Sequence, residues 1–134
     1  MGAAENKKLI LAHYDAIWSG DEDALREQVA DDFTDHATPP GTPPGVETVI
    51  AWGRVLRSAF PDMKVTMNHC AAEGDIVACH ATWRGTHKGT FQGIAATGRP
   101  VEFSGMVFWR VNNGKIAERW AYLDNAQMMK QLQG

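Results

Sequence analysis

Glu118, Trp120, Tyr122 and Asp124 recur at every second position near the end of the chain, the spacing that sets side chains on one face of a strand. Such a face mixes large aromatic rings with carboxylates. If it forms the concave wall of a pocket, with Trp120 and Tyr122 as its lining, desolvation raises the pKa of Asp124 and suits it to proton transfer. Asp124 is therefore the first candidate for a general acid or base. The structural alternative is a helix cap, because Asp124 and Gln127 have the spacing of an N-capping pair. His36 closes the run DDFTDH beside Asp35, and a histidine at a pocket can shuttle protons near neutral pH. Alternation sets Phe33 and Asp35 on one face and Asp32, Thr34 and His36 on the other, so one set alone looks inward. His80 shares a strand face with Ala78, Thr82 and Arg84 while His87 falls on the opposite face, so without a bulge the two histidines do not share a metal site. Tyr14 can offer a hydroxyl to a ligand oxygen, and Trp52, Phe60, Met106, Phe108 and Trp109 read as core or pocket lining. The sequence contains no GxGxxG, GxSxG or phosphate-binding loop and no metal-ligand spacing. Any chemistry then runs on side-chain proton transfer.

These residues need elements to position them, and the periodicity of the chain supplies them. Leu9, Ile10, His13, Tyr14, Ile17 and Trp18 recur at helical spacing up to Gly20, a residue suited to the left-handed position that ends a helix. Asp21 stands as N-cap of a second, short helix carrying Leu25 and Val29. The run DDFTDHA reads as a short strand, and Pro39 to Gly45 as a surface loop. Val46, Val49, Ile50, Gly53, Leu56 and Phe60 share a third helical face that Pro61 stops. From Met63 the period changes to two, with Met63, Val65, Met67, His69 and Ala71 expected on one face and Lys64, Thr66, Asn68, Cys70 and Ala72 on the other. Glu73-Gly74-Asp75 and Asn112-Asn113-Gly114 are turn chemistry, giving one hairpin to His87 and a second from Val101 to Asp124. Met128, Met129 and Leu132 close the chain as a short helix. Helices first and meandering strands afterwards give an α+β order: a cone-shaped, strongly curved antiparallel sheet wrapped around helices and one apolar pocket.

At 134 residues with 44% hydrophobic content the chain suits a single domain over residues 1–134 and one site. A net charge of −3 with scattered Lys and Arg makes nucleic acid an unexpected partner. No apolar run reaches the roughly 20 residues of a membrane span, and the start has no secretory signal, so a cytoplasmic location is expected. Met1-Gly2 suggests myristoylation only superficially, because Asn6 stands where that signal wants Ser or Thr. Cys70 and Cys79 read as reduced, buried thiols. Apolar residues on both faces of the long strands predict a homodimer through the sheet.

The blocks NKKLILAHYDAIWSGD, DDFTDHATPPGTPPG, RSAFPDMKV, GTHKGTFQGIAATGRPVEFSG and RVNNGKIAERWAYLD, spread over nearly the whole chain, resemble the SnoaL-like polyketide cyclases. These are also catalogued as ester cyclases, within the nuclear-transport-factor-2-like (cystatin-like α+β barrel) fold. The resemblance implies ring closure by intramolecular aldol condensation on a small hydrophobic molecule, without metal or organic cofactor. It also implies an acid/base Asp in the last strand, matched here by Asp124, and a substrate contact at Tyr14. Where such cyclases place a His in the preceding strand, this chain has Phe108, Trp109 and Arg110, which makes Arg110 the candidate replacement. Two rivals stand beside this reading. One is a non-catalytic small-molecule binding protein of the same fold, and the other an epoxide hydrolase or isomerase, which needs a second inward carboxylate such as Glu118.

Overall fold

The structure, a computed structural model, describes residues 2–133. Helix α1 (Ala3–Ser19) ends where Gly20 turns left-handed at φ 77° and returns its N–H to the Ala16 carbonyl. Asp21 then caps α2 (Glu22–Gln28) by accepting the Ala24 N–H at 3.1 Å, and the chain passes directly into β1 (Val29–Asp35). Helix α3 (Val46–Ala59) follows the Pro-rich loop and stops before Pro61. Four longer strands make the rest of the sheet: β2 (Lys64–Glu73), β3 (Ile76–Thr86), β4 (Pro100–Asn112) and β5 (Lys115–Leu123). Helix α4 (Asn125–Gln133) completes the described chain. The β4–β5 turn uses Asn113 and Gly114 at positive φ, 53° and 74°, the conformation a two-residue hairpin requires.

The architecture is α+β, with strands in the order β1-β5-β4-β3-β2 as one curved, unclosed sheet. Its pairing differs from the all-antiparallel expectation in one place: β1 runs parallel to β5, with Thr34 opposite Glu118 and Asp35 opposite Arg119. The reason is connectivity. β1 leaves α2 and enters the Pro loop without a hairpin turn, so it meets β5 only after the chain has crossed α3 and three strands, and such a crossover connection allows a parallel pair.

Helices α1, α3 and α4 cover the inner face of this sheet, where Ile10, Val77, Val107 and Trp109 are at most 2% exposed. Inward residues alternate strictly on β3 (Val77, Cys79, Ala81, Trp83) and on β4 (Val101, Phe103, Val107, Trp109, Val111). On β2 the expected alternation breaks. The register on β3 shifts between Met67 and His69, so that Asn68 has no partner opposite it. This bulge moves the later residues to the other face. Val65, Met67, Cys70 and Ala72 all pack inward, while His69 turns outward to face His80.

Candidate functional site

The face carrying Glu118, Trp120, Tyr122 and Asp124 is the outer, convex one. On it, His80, Met106, Phe108, Trp120, Tyr122 and Asp124 line a single open groove of about 720 Å³. The structure thus brings six of the sequence-derived candidates together, on the side of the sheet away from the helices. Asp124 is exposed, and its Oδ1 accepts the Gln127 N–H at 2.9 Å, which makes it the N-cap of α4. The concave desolvation anticipated for it is absent. His80 Nδ1 lies 3.2 Å from His69 Nδ1, a pairing that exists because of the β2 bulge.

The other outer-face candidates are held in a polar string. His36 faces outward with Thr34, stacks on Trp120 at 5.0 Å, and its Nε2 contacts Glu118 at 2.9 Å. Arg110 donates to Glu118 and to Asp75, each at 2.9 Å, and lies 5.8 Å from the centre of the Trp120 ring. His36, with Arg110 behind it, holds the Glu118 carboxyl below the usual carboxylate range. Neither Arg110 nor Glu118 reaches the interior, so Arg110 is placed away from an inner oxyanion. The second inward carboxylate needed for epoxide chemistry is not supplied by Glu118. Trp52 is half exposed and leans on Phe91, and Phe60 is wholly buried against Phe91 and His87 as core.

Tyr14 belongs to the inner side, as Phe60 and Trp109 do. With Leu11, Asp15 and Trp18 of α1, Met63 just before β2 and Met67 within it, Tyr14 lines a second cleft of about 550 Å³. Its hydroxyl is buried and has no hydrogen-bond partner among the described residues, and the same is true of Trp109 Nε1. The two rings meet edge to face at 5.8 Å. The Trp109 N–H lies close enough to the Tyr14 oxygen to act on its pKa, and buried donors are nearly always paired in folded proteins, so the Tyr14 O–H is the donor left without an acceptor among the described residues. Burial pushes the Tyr14 pKa well up, with Cys79 adding to the rise and the neighbouring Arg119 and Trp109 N–H pulling against it. The hydroxyl therefore stays a donor at any physiological pH.

Around this pair stand Arg119, Asp35 and His13. Arg119 lies directly opposite Trp109 across the β4–β5 register, sits 5.4 Å from its ring centre, and donates to both oxygens of Asp35 at 3.0 and 3.2 Å. His13, 1% exposed, meets Trp109 edge to face at 5.2 Å. His13 Nδ1 donates to Gln28 Oε1 at 3.1 Å, which leaves Nε2 with its lone pair. Burial lowers the His13 pKa to about 4, opposed by the Gln28 hydrogen bond and helped by Arg119. His13 is thus neutral at pH 7. Among the described residues no three His, Cys, Asp or Glu side chains converge as a metal-ligand set, and no helix is long and apolar enough to cross a membrane.

Comparison with known proteins adds to this geometry. The family model for SnoaL-like polyketide cyclase matches residues 8–132. Among solved structures, wild-type IdmH from Streptomyces antibioticus is 35% identical over 96% of this chain and 99% of its own, with a TM-score of 0.82. A SnoaL-like protein from Jannaschia sp. CCS1 is 25% identical over 97% of this chain and 92% of its own, TM-score 0.87. TsrD from Streptomyces laurentii shares the fold at 23% identity, covering 98% of this chain and 97% of its own, TM-score 0.89. No curated protein matches the chain.

Proposed function

Because the chain belongs to the SnoaL-like polyketide cyclase family, we propose that it is an enzyme that uses no cofactor and acts on a hydrophobic, carbonyl-bearing small molecule by aldol-type cyclisation or a related proton transfer. The observation that carries this reading is the Tyr14 hydroxyl, buried beside Trp109 on the inner face with no acceptor for its proton among the described residues. A carbonyl oxygen seated against it meets a preorganised donor in a water-poor site, where the negative charge of an enolate is best stabilised. His13 Nε2 is the base. With a pKa of about 4 it is as basic as a carboxylate but carries no negative charge to oppose the forming enolate. The carbon α to the carbonyl gives its proton to His13, the enolate carbon bonds to a second carbonyl carbon of the same molecule, and the proton returns to the new alkoxide. Asp35 orients Arg119, whose guanidinium adds positive potential over Trp109.

The test is exchange of α-hydrogens of aryl alkyl ketones in D2O, followed by NMR. Removing one oxyanion donor costs about 10²–10³ in rate, so Tyr14→Phe should lose most exchange. Full exchange by that variant overturns the assignment. Ketone binding by the wild type with no exchange identifies a binding protein instead. A second reading places Asp124 as acid/base with His80 in the outer groove, favoured by the convergence of six candidates there. It requires a cover to exclude water, and a second copy of the chain laid over Met106, Phe108 and Tyr122 supplies one. In that case Asp124→Asn, which keeps the cap, abolishes exchange while Tyr14→Phe leaves it intact.

A further inference from the structure

The bulge in β2 has a second effect besides turning His69 outward. It turns Cys70 inward, directly opposite Cys79 on β3, with the two sulfurs 3.6 Å apart. Residues directly opposed on antiparallel strands have Cα atoms about 4.5–5.5 Å apart, within the roughly 4.4–6.8 Å that a disulfide spans. The sulfurs need to close by only about 1.5 Å to reach the bonded distance of about 2.05 Å.

We propose that Cys70 and Cys79 are a redox-responsive pair that closes to an intrachain disulfide on exposure to a small-molecule disulfide such as oxidised glutathione. Exposure sets the order of events. Cys70 is half-buried and Cys79 is 3% exposed, so the Cys70 thiolate attacks one sulfur of the oxidant, and the departing thiolate takes up a proton. The Cys79 sulfur then displaces the second glutathione from Cys70, its S–H proton leaving with that group. One S–S bond and two S–H bonds are consumed, and one S–S bond and two S–H bonds are formed. Burial, followed by the contact with Cys70, pushes the Cys79 pKa up to about 12. The reduced state therefore gains nothing from a stabilised thiolate, and that bias makes the disulfide slow to form and resistant to reduction.

The position of the pair gives the modification a consequence, which rests on the inner-pocket reading above. Cys70 and Cys79 are both among the groups that act electrostatically on the Tyr14 hydroxyl. Oxidation ties β2 to β3 by a covalent cross-link beside it. Ketone exchange by the oxidised protein should differ measurably from that of the reduced protein.

The full chain is incubated with oxidised glutathione under mildly alkaline conditions, quenched in acid, and digested with trypsin. Cleavage after Lys64 and Arg84 leaves both cysteines in the peptide of residues 65–84. The expected result is loss of two hydrogens from that peptide with no glutathione attached, both thiols gone, and full reversal by a phosphine. Cys79→Ser should stop at a glutathione adduct on Cys70. An adduct on Cys70 in the wild type with the Cys79 thiol retained, a disulfide between chains only, or no reaction over a day each overturns the proposal. Because the mass readout does not involve activity, an intrachain disulfide in a protein that exchanges no ketone supports this inference and counts against the pocket reading alone.

Discussion

Lowering the pH from 7 to 5 protonates His13 in the unfolded chain and leaves it neutral in the folded one. The pKa falls from 6.5 unfolded to about 4 folded because the ring is buried, 1% exposed, between α1 and Trp109. In this window the unfolded state binds more protons, so stability rises with pH and is lost on acidification. Integrating between pH 7 and pH 5 for those two pKa values gives a loss of about 2 kcal/mol, and complete protonation of the unfolded chain takes it to roughly 3 kcal/mol near pH 4. The paired carboxylates Glu22, Glu47 and Glu118, whose pKa values lie below the ordinary range, titrate under that window and do not obscure it. The assay is urea denaturation at half-unit pH steps for the wild type and His13→Gln. The substitution changes absolute stability by removing the ring from Trp109, but the decisive quantity is the difference in pH slope. The wild type should lose about 2 kcal/mol more than the variant between pH 7 and pH 5. Parallel curves refute both the depressed pKa and the base assigned to His13.

Asp124→Ala should cost about 1 kcal/mol in chemical denaturation through the lost Gln127 N–H contact, whereas Asp124→Asn should cost only a few tenths; equal losses would show that the cap contributes little. Sedimentation equilibrium at micromolar concentration should give twice the chain mass of 14.7 kDa, because Met106, Phe108 and Tyr122 stand 56%, 47% and 81% exposed side by side across β4 and β5. Phe108→Glu should then return the mass to that of one chain, and a wild-type monomer refutes the dimer.

Much of the architecture was legible because hydrophobic period reports directly on element type. Four helical stretches, the change to period two at Met63 and two hairpin turns all reappear within a few residues of their expected places. Parity along one strand was legible too, since Glu118, Trp120, Tyr122 and Asp124 do share a face. Which face points inward was not, because that depends on where the helices pack. A plain two-residue hairpin at Asn113-Gly114 sets Trp109 opposite Glu118, but the register shifts by one residue on β5 between Ile116 and Glu118. Trp109 therefore falls opposite Arg119 and Phe108 opposite Trp120, and two tryptophans compete for the interior. The alternation of Val107, Trp109 and Val111 with the aliphatic run of β3 settles it in favour of Trp109. With the β5 shift in place the inner face of that strand carries Arg119 rather than Asp124, and only the packed helix brings His13 and Tyr14 to the same tryptophan. The β2 bulge was illegible for a different reason. A register shift is a property of the paired strands, and Asn68 has no conformational peculiarity that marks it as the extra residue. Carrying strict alternation through it reverses everything downstream, putting Cys70 outside and His69 inside, and so hides the sulfur pair and the histidine pair at once. Both pairs follow from one inserted residue. Deleting Asn68 should therefore make the pairing regular while leaving His69 outward and Cys70 inward, still opposite Cys79. The variant should form the disulfide as the wild type does, and a deletion variant that forms none would show that the bulge itself brings the sulfurs together.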